Sequence, residues 1–292
     1  MRYPGIKQLL AMLSGMLCLL AGCIDESHTG CVQYAIATQL VDTKGNPMGA
    51  SVVGPTLAYL FLNDKFDHVV TSESDGRYLI SFDGNSKASL VVFGNMNTDS
   101  FQIRTPNVGD DISATSVSLV SKTRAAELQN IYAANLYYGC YAYTADSTLS
   151  AKVVLLPLLN RQVKLHVVVQ NVRETYGDGD YKIVLEGLRN AVAFDGTVMG
   201  DSVSYQPTVS FADNGDLVSE TLHTLPTKTG EAVMLSIYKD DVLLWHSSLD
   251  SEGKQITLTG GEDKAVVVNA ARLAFNVVVE PWSYYLNQNI SF

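Results

Sequence analysis

Charge is scarce in this chain. Only 17 % of its 292 residues are Asp, Glu, Lys or Arg, against the ~25 % usual in soluble domains. The shortage is on the basic side: 20 basic and 30 acidic side chains leave a formal charge of −10 at pH 7. That excludes a nucleic-acid binder, which needs a concentrated basic face for phosphates. Long apolar runs are also missing. Beyond the N-terminus no stretch is apolar for the ~18 or more residues that a membrane-spanning helix needs. The histidines, His28, His68, His166, His223 and His246, stand singly, and there is no Cys-x-x-Cys pair. Metal sites need clustered ligands, so none is expected. His166 sits at a polar position of an alternating strand and reads as solvated. Nucleophile-elbow and dinucleotide or phosphate-loop patterns are absent; Gly49-Ala50-Ser51-Val52-Val53-Gly54 has the wrong spacing for the first. Asp178-Gly179-Asp180 and Asp213-Asn214-Gly215-Asp216 lack the trailing bidentate acid of a calcium loop and read as turns. Neither catalysis nor a cofactor is expected. What the chain does have is 47 % hydrophobic residues, too many for disorder.

The N-terminus carries the most specific signal. Arg2 and Lys7 precede an uncharged run over residues 9–20, which closes on Leu20-Ala21-Gly22-Cys23. The run is too short to span a bilayer and reads as a secretory signal. A small-small-Cys ending after Leu is the lipobox of bacterial lipoproteins. Residues 1–22 are then removed and Cys23 becomes the acylated N-terminus, a stable anchor because several acyl chains are buried. Ile24 follows, rather than the Asp that retains a lipoprotein at the inner membrane. Asp25 and Glu26 come next, resembling an acidic tag for export to the cell surface. The mature chain is expected on the outer membrane. Removing the signal takes two basic side chains and no acidic one, so that chain is more acidic still. Cys31 and Cys140 remain. In an oxidising compartment an even pair suggests a disulfide; the alternative is two separate buried thiols.

Strand patterns fill the rest. They run over 31–41, 57–63, 77–83, 89–94, 116–120 and 151–157, with turn clusters between, and residues 72–78 around Asp75-Gly76 read as a hairpin. A helical stretch is expected at 123–134. The pattern restarts at 161–172, where Val163, Leu165, Val167 and Val169 alternate with other residues. It continues over 181–188, 208–211, 219–224, 231–239, 242–247, 255–259, 265–273 and 274–281. Strands at this spacing suggest two all-β sandwiches, with a short helix at most. The expected division is 23–158 and 159–292. Tyr132, Tyr137, Tyr138, Tyr141 and Tyr143 cluster around Cys140. Stacked on sugars they would make a glycan-binding face; packed inward they would be sandwich core.

In order and content these pieces resemble the FimB-like fimbrium anchor family of surface lipoproteins. Cys23 is followed by Cys31 at the first strand. Ala58-Tyr59-Leu60-Phe61-Leu62-Asn63, Gly76-Arg77-Tyr78 and residues 90–95 look like successive family strands. Leu136-Tyr137-Tyr138-Gly139 looks like the family's Leu-Phe-Tyr-Gly element, and Leu159-Asn160-Arg161-Gln162-Val163 looks like its entry into the second domain. Pro281-Trp282 matches a Trp before the last strand. The first strand, Val32-Gln33-Tyr34-Ala35-Ile36-Ala37, departs from the Arg-rich family pattern. The resemblance implies two transthyretin-like (Greek-key) sandwiches on a lipid. It also implies a role holding a fimbrium in the outer membrane and limiting its length, with a fimbrial shaft subunit (fimbrillin) as partner. Subunits of this class join by strand exchange. The expected donor segments are 274–279 and 284–292, with Tyr284, Leu286, Ile290 and Phe292 as contact residues; a final strand that closes its own sandwich is the alternative. Arg104 and Arg124 are expected to stay uncut. The competing reading is a surface glycan-binding lipoprotein or adhesin of the same architecture.

Overall fold

In a computed structural model of the chain, residues 31–49, 54–96, 101–120, 135–144, 153–271 and 275–289 are described. The expected helix at 123–134, the lipobox residues Leu20, Ala21 and Gly22, Cys23 and Arg124 lie outside them. The described chain is almost entirely β. In the first half the strands are β1 (Cys31–Leu40), β2 (Thr56–Leu62), β3 (Lys65–Val70), β4 (Tyr78–Asp83), β5 (Ala88–Gly94), β6 (Phe101–Ile103), β7 (Ser116–Leu119), β8 (Tyr137–Tyr143) and β9 (Val153–Asn160). The second half has β10 (Val163–Gln170), the single-turn helix α1 (Val172–Tyr176), β11 (Tyr181–Ala193), β12 (Val198–Tyr205), β13 (Val209–Phe211), β14 (Leu217–Ser219) and β15 (Leu222–Thr224). It ends with β16 (Met234–Lys239), β17 (Val242–Ser247), β18 (Asp263–Asn269), β19 (Asn276–Pro281) and the helix α2 (Trp282–Asn289). No described helix is long and apolar enough to cross a membrane.

Three sheets form. The first has the order β3-β2-β5-β8-β9-β1-β4 and curls, so that its edge strands β3 and β4 approach each other. Alternation decides what it encloses. Tyr34 and Ile36 of β1, Tyr78 and Ile80 of β4, Leu90 of β5 and Leu156 of β9 point inward and are buried together. The second sheet runs β13-β14-β10-β18-β19, with β15 also on β10; the third runs β17-β16-β11-β7-β6, with β12 on the other edge of β11. These two sheets pack face to face over Val163, Leu165, Ile183, Leu235, Ile237, Val266 and Val268.

β11 belongs to both halves. Its first part pairs with β16, and Ala191–Ala193 pair with β7. The end of β11 carries Val192 and Phe194 onto the outer side of β2, β5 and β8. There the Phe194 ring meets Tyr59 at 4.9 Å, Phe93 at 5.0 Å and Phe61 at 5.7 Å, edge to face, the arrangement that aromatic quadrupoles favour. The expected division between residues 158 and 159 falls within β9, and a shared core joins the halves.

The expected Cys31–Cys140 bridge does not form. Cys140 is a free thiol, packed beside the Phe93 and Tyr138 cluster, and burial raises its pKa. Its neighbour Gly139 lies so close to β9 that a Cβ there would sit 2.5 Å from the Pro157 carbonyl oxygen. Pro157 in turn pairs with Gln39. Cys31, opposite Asp83, is eight residues back along β1, roughly 26 Å at the ~3.3 Å rise of a strand. A disulfide needs Cα atoms within about 7 Å.

Candidate functional site

With no titratable constellation to build on, the candidate sites are the places where a sheet stops. A terminal strand exposes a row of unpaired N–H and C=O groups, which folded proteins normally cover, shorten or charge. Most edges here are treated so. Outside β3, Phe66 donates its N–H to the Asp110 carbonyl and accepts one from Gly109. Lys65 and Asp111 pair beside it at 3.1 Å, and Asp111 is held down to about 2, first by the Ser113 side chain. β13 and β6 are three residues long. β12 carries Asp201 and irregular register. At β19, Ser251 closes the edge from both sides: its N–H donates to the Val277 carbonyl at 2.9 Å, and Val277 donates its N–H to the Ser251 hydroxyl at 2.6 Å.

β17 has no such cover among the described residues. Its six residues, Val242-Leu243-Leu244-Trp245-His246-Ser247, include no Asp, Glu, Lys or Arg, and it bonds only to β16. Val242 is 63 % and Leu243 43 % exposed. The strand is nonetheless held firmly. Asp240 and Asp241 turn the chain into it with φ of 50° and 64°, the left-handed pair of a two-residue hairpin turn. The turn is braced where Asp180 donates its N–H to the Asp240 carboxylate at 2.9 Å and where Lys182 meets Asp241 at 2.6 Å. On the inner side the Trp245 ring stacks on Phe275 at 5.2 Å. The result is a rigid, apolar, hydrogen-bond-ready edge.

The expected donor segments are found differently placed. β19 closes its own sheet against β18, from Lys264↔Pro281 to Asn269↔Asn276. Residues 284–289 belong to α2 and are not an extended strand. The reason is local packing: Tyr285 is buried on Val168 and Ala265, on the outer face of the second sheet. Its hydroxyl donates to Asp216 at 3.1 Å, and its pKa is pushed up to about 12 by burial and by that carboxylate. Trp282 stacks between Tyr285 at 5.1 Å and His166 at 3.9 Å. Tyr284 and Leu286 are exposed on the far side of α2; Ile290 and Phe292 lie outside the described residues.

His166 is therefore covered, contrary to the solvated position expected of it. Trp282 lies on its ring, Asp263 meets its Nε2 at 3.0 Å, and burial lowers its pKa against the pull of Asp263.

The tyrosine cluster does not make a sugar platform. Tyr137, Tyr138 and Tyr143 are buried. The Tyr138 hydroxyl donates to the Phe194 carbonyl at 3.0 Å, and Arg161 lies over its ring. Tyr141 alone of the four is exposed, at 52 %, and Tyr132 is outside the described residues. Asp178, Asp180, Asp213 and Asp216 do not converge; no group of three potential metal ligands exists among the described residues. Sequence reasoning missed β3, although Asn63-Asp64 between apolar runs is its hairpin signal; both have positive φ.

Residues 35–288 match the family described as fimbrillin-A associated anchor proteins Mfa1 and Mfa2. No curated protein matches the chain. Among solved structures, the fimbrial anchor protein Mfa2 of Porphyromonas gingivalis is 15 % identical, covers 86 % of this chain and 97 % of its own, and superposes with a TM-score of 0.61. A proposed polysaccharide-binding protein of Bacteroides thetaiotaomicron is 15 % identical over 86 % of this chain and 96 % of its own, with a TM-score of 0.64. A proposed adhesin of Bacteroides ovatus is 14 % identical over 86 % and 94 %, with a TM-score of 0.62. At these identities the likeness is one of fold.

Proposed function

The chain belongs to the family of fimbrillin-A associated anchor proteins, and from that premise we propose that it tethers a fimbrium to the outer membrane through a lipid on Cys23 and holds the first shaft subunit by strand addition to β17. The open edge of β17 is the observation that carries this reading. A strand laid beside Val242–Ser247 gains main-chain hydrogen bonds that water otherwise supplies, and alternate side chains set the register. This chain is then the acceptor. Its own C-terminal segment is spent on α2 and β19, which favours a strand supplied by the partner. An anchor that only accepts at one edge ends the fibre there, which is how it would limit length.

The test is to charge the edge. Leu243→Lys keeps the strand but places an ammonium where a partner strand would pair. Fimbriae are expected to be shed into the medium, with capture of the shaft subunit by the purified protein falling to background. Normal, cell-bound fimbriae in that variant would exclude strand addition at β17. Cys23→Ala separately tests the anchor: radiolabelled palmitate should no longer enter the protein, and the chain should leave the membrane fraction.

A further inference from the structure

We infer that the outer face of β4, β1 and β9 lies flat against the lipid surface to which the chain is tethered, an inference that rests on the Cys23 anchor proposed above. The outer face of the first sheet is divided. Over β2, β5 and β8 it is buried beneath β6, β7 and the end of β11. Over β9, β1 and β4 no described element packs on it. The register there assembles one patch. Leu79 and Val153 flank Ala35 across three neighbouring strands, and Leu155 lies beside Ala37 in the next row. Leu155 is 59 %, Val153 49 % and Leu79 45 % exposed, and Leu159 extends the row along β9. The alanines between make the surface flat rather than grooved. Contiguous exposed apolar area of this kind marks an interaction site, whereas isolated exposed leucines do not.

Charge and chain length select the occupant. From the row of Gln33 to the row of Gln39, the outward positions within these three strands carry no charged side chain; Arg77, one residue before β4 and opposite Ala37, pairs with Asp75 at the rim. The chain as a whole is at −10. Anionic headgroups repel most of such a surface, and this face presents an extended neutral apolar area to them. Cys31 comes eight residues after Cys23, a reach of at most ~28 Å for an extended chain. Ala35 is four residues into β1, about 13 Å from its start. A lipid at Cys23 therefore holds this patch within reach of the bilayer, and Val153 of the parallel strand β9 is at the same end.

The experiment replaces the lipid so that docking and acylation are read separately. The mature chain carries Cys23→Ser, Cys31→Ser and Cys140→Ala. It also carries an N-terminal hexahistidine that binds vesicles of phosphatidylcholine, phosphatidylglycerol and a nickel-chelating lipid. A fluorophore is attached through Leu155→Cys or, as control, Leu243→Cys; both positions are exposed, so the fold is preserved. Quenching by iodide at position 155 is expected to fall several-fold on vesicles, with position 243 unchanged. Adding Leu79→Gln and Val153→Gln should restore quenching at 155. Equal quenching at 155 with and without vesicles overturns the inference. So does shielding of 155 in free solution accompanied by a dimer in sedimentation, which would assign the face to a second copy. The mass of the N-terminal peptide from the native membrane fraction reports acylation independently. An unmodified Cys23 removes the anchor whatever the vesicles show.

Discussion

The two sheets of the C-terminal half share a core and differ in how they end. The second sheet is partly closed: Ser251 bonds Val277 on the β19 edge, and α2 roofs β10 and β18. The third sheet ends in β17, as apolar as β19 but uncovered among the described residues. Phe275, just before β19, stacks on Trp245 of β17, so the two edges are neighbours under the same packing constraint. Their difference therefore comes from what the flanking loops do. A serine in the 248–255 turn reaches β19, and among the described residues nothing equivalent reaches β17. An edge left open beside one closed by dedicated contacts reads as a surface kept for a partner.

Removing the roof breaks the contrast most. Tyr285→Ala deletes the buried ring and the bond to Asp216, and should cost about 3 kcal/mol, the scale of aromatic-to-alanine changes in cores. Val168 and Ala265 become exposed, so binding of a hydrophobic dye should rise with the loss of stability. Denaturation midpoints indistinguishable from wild type would show that α2 is not docked. A smaller change opens the stopper. Ser251→Ala removes the hydroxyl that accepts from the Val277 N–H while keeping the backbone bond to the Val277 carbonyl, an expected loss of about 1 kcal/mol, and leaves the β19 edge half open. Sedimentation should then show new self-association, and a strictly monomeric variant would mean that Ser251 does not guard the edge.

The mildest test is pH. Burial lowers the pKa of His166 and, with Lys164 nearby, that of His223. The folded state thus binds fewer protons than the unfolded chain, whose histidines titrate near 6.5. The stability these groups allow is complete above about pH 6.5 and is lost as the pH falls below it toward the folded values. Thermal midpoints should drop between pH 7 and pH 5, and His166→Gln should flatten that slope. An unchanged slope would place the acid sensitivity elsewhere.

Much of this was legible in the chain before folding. β1, β2, β4, β5, β10 and β17 were legible to within a residue or two: β4 by alternation, since one face is buried, and β5 by a continuous apolar run, since both faces are. The turn at Asp75-Gly76 does close, with Ser72 bridged to Tyr78. What failed did so for nonlocal reasons. β3, with Lys65, Asp67 and His68, is too polar to read as a strand and is held by pairing to β2. Residues 255–259 look like a strand but find no continuous partner: Gln255 bridges to Leu249, Ile256 bonds to Ser248 and Val233, and Leu258 accepts from Thr227. The segment at 282–289 is too short to be helical alone; it forms a helix because Trp282 and Tyr285 find His166 and Val168.

The sequence by itself determined a weakly charged, acidic, all-β chain whose N-terminal apolar run ends on Leu20-Ala21-Gly22-Cys23, because composition and alternation are local properties. Only the tertiary structure decided which strands are interior and which are edges, that Cys31 and Cys140 stand far apart, that Tyr137, Tyr138 and Tyr143 turn inward, and that no described element covers the outer face of β4, β1 and β9. Each depends on strand order and register, and these are set by contacts between residues as distant in sequence as Lys164 and Asp263.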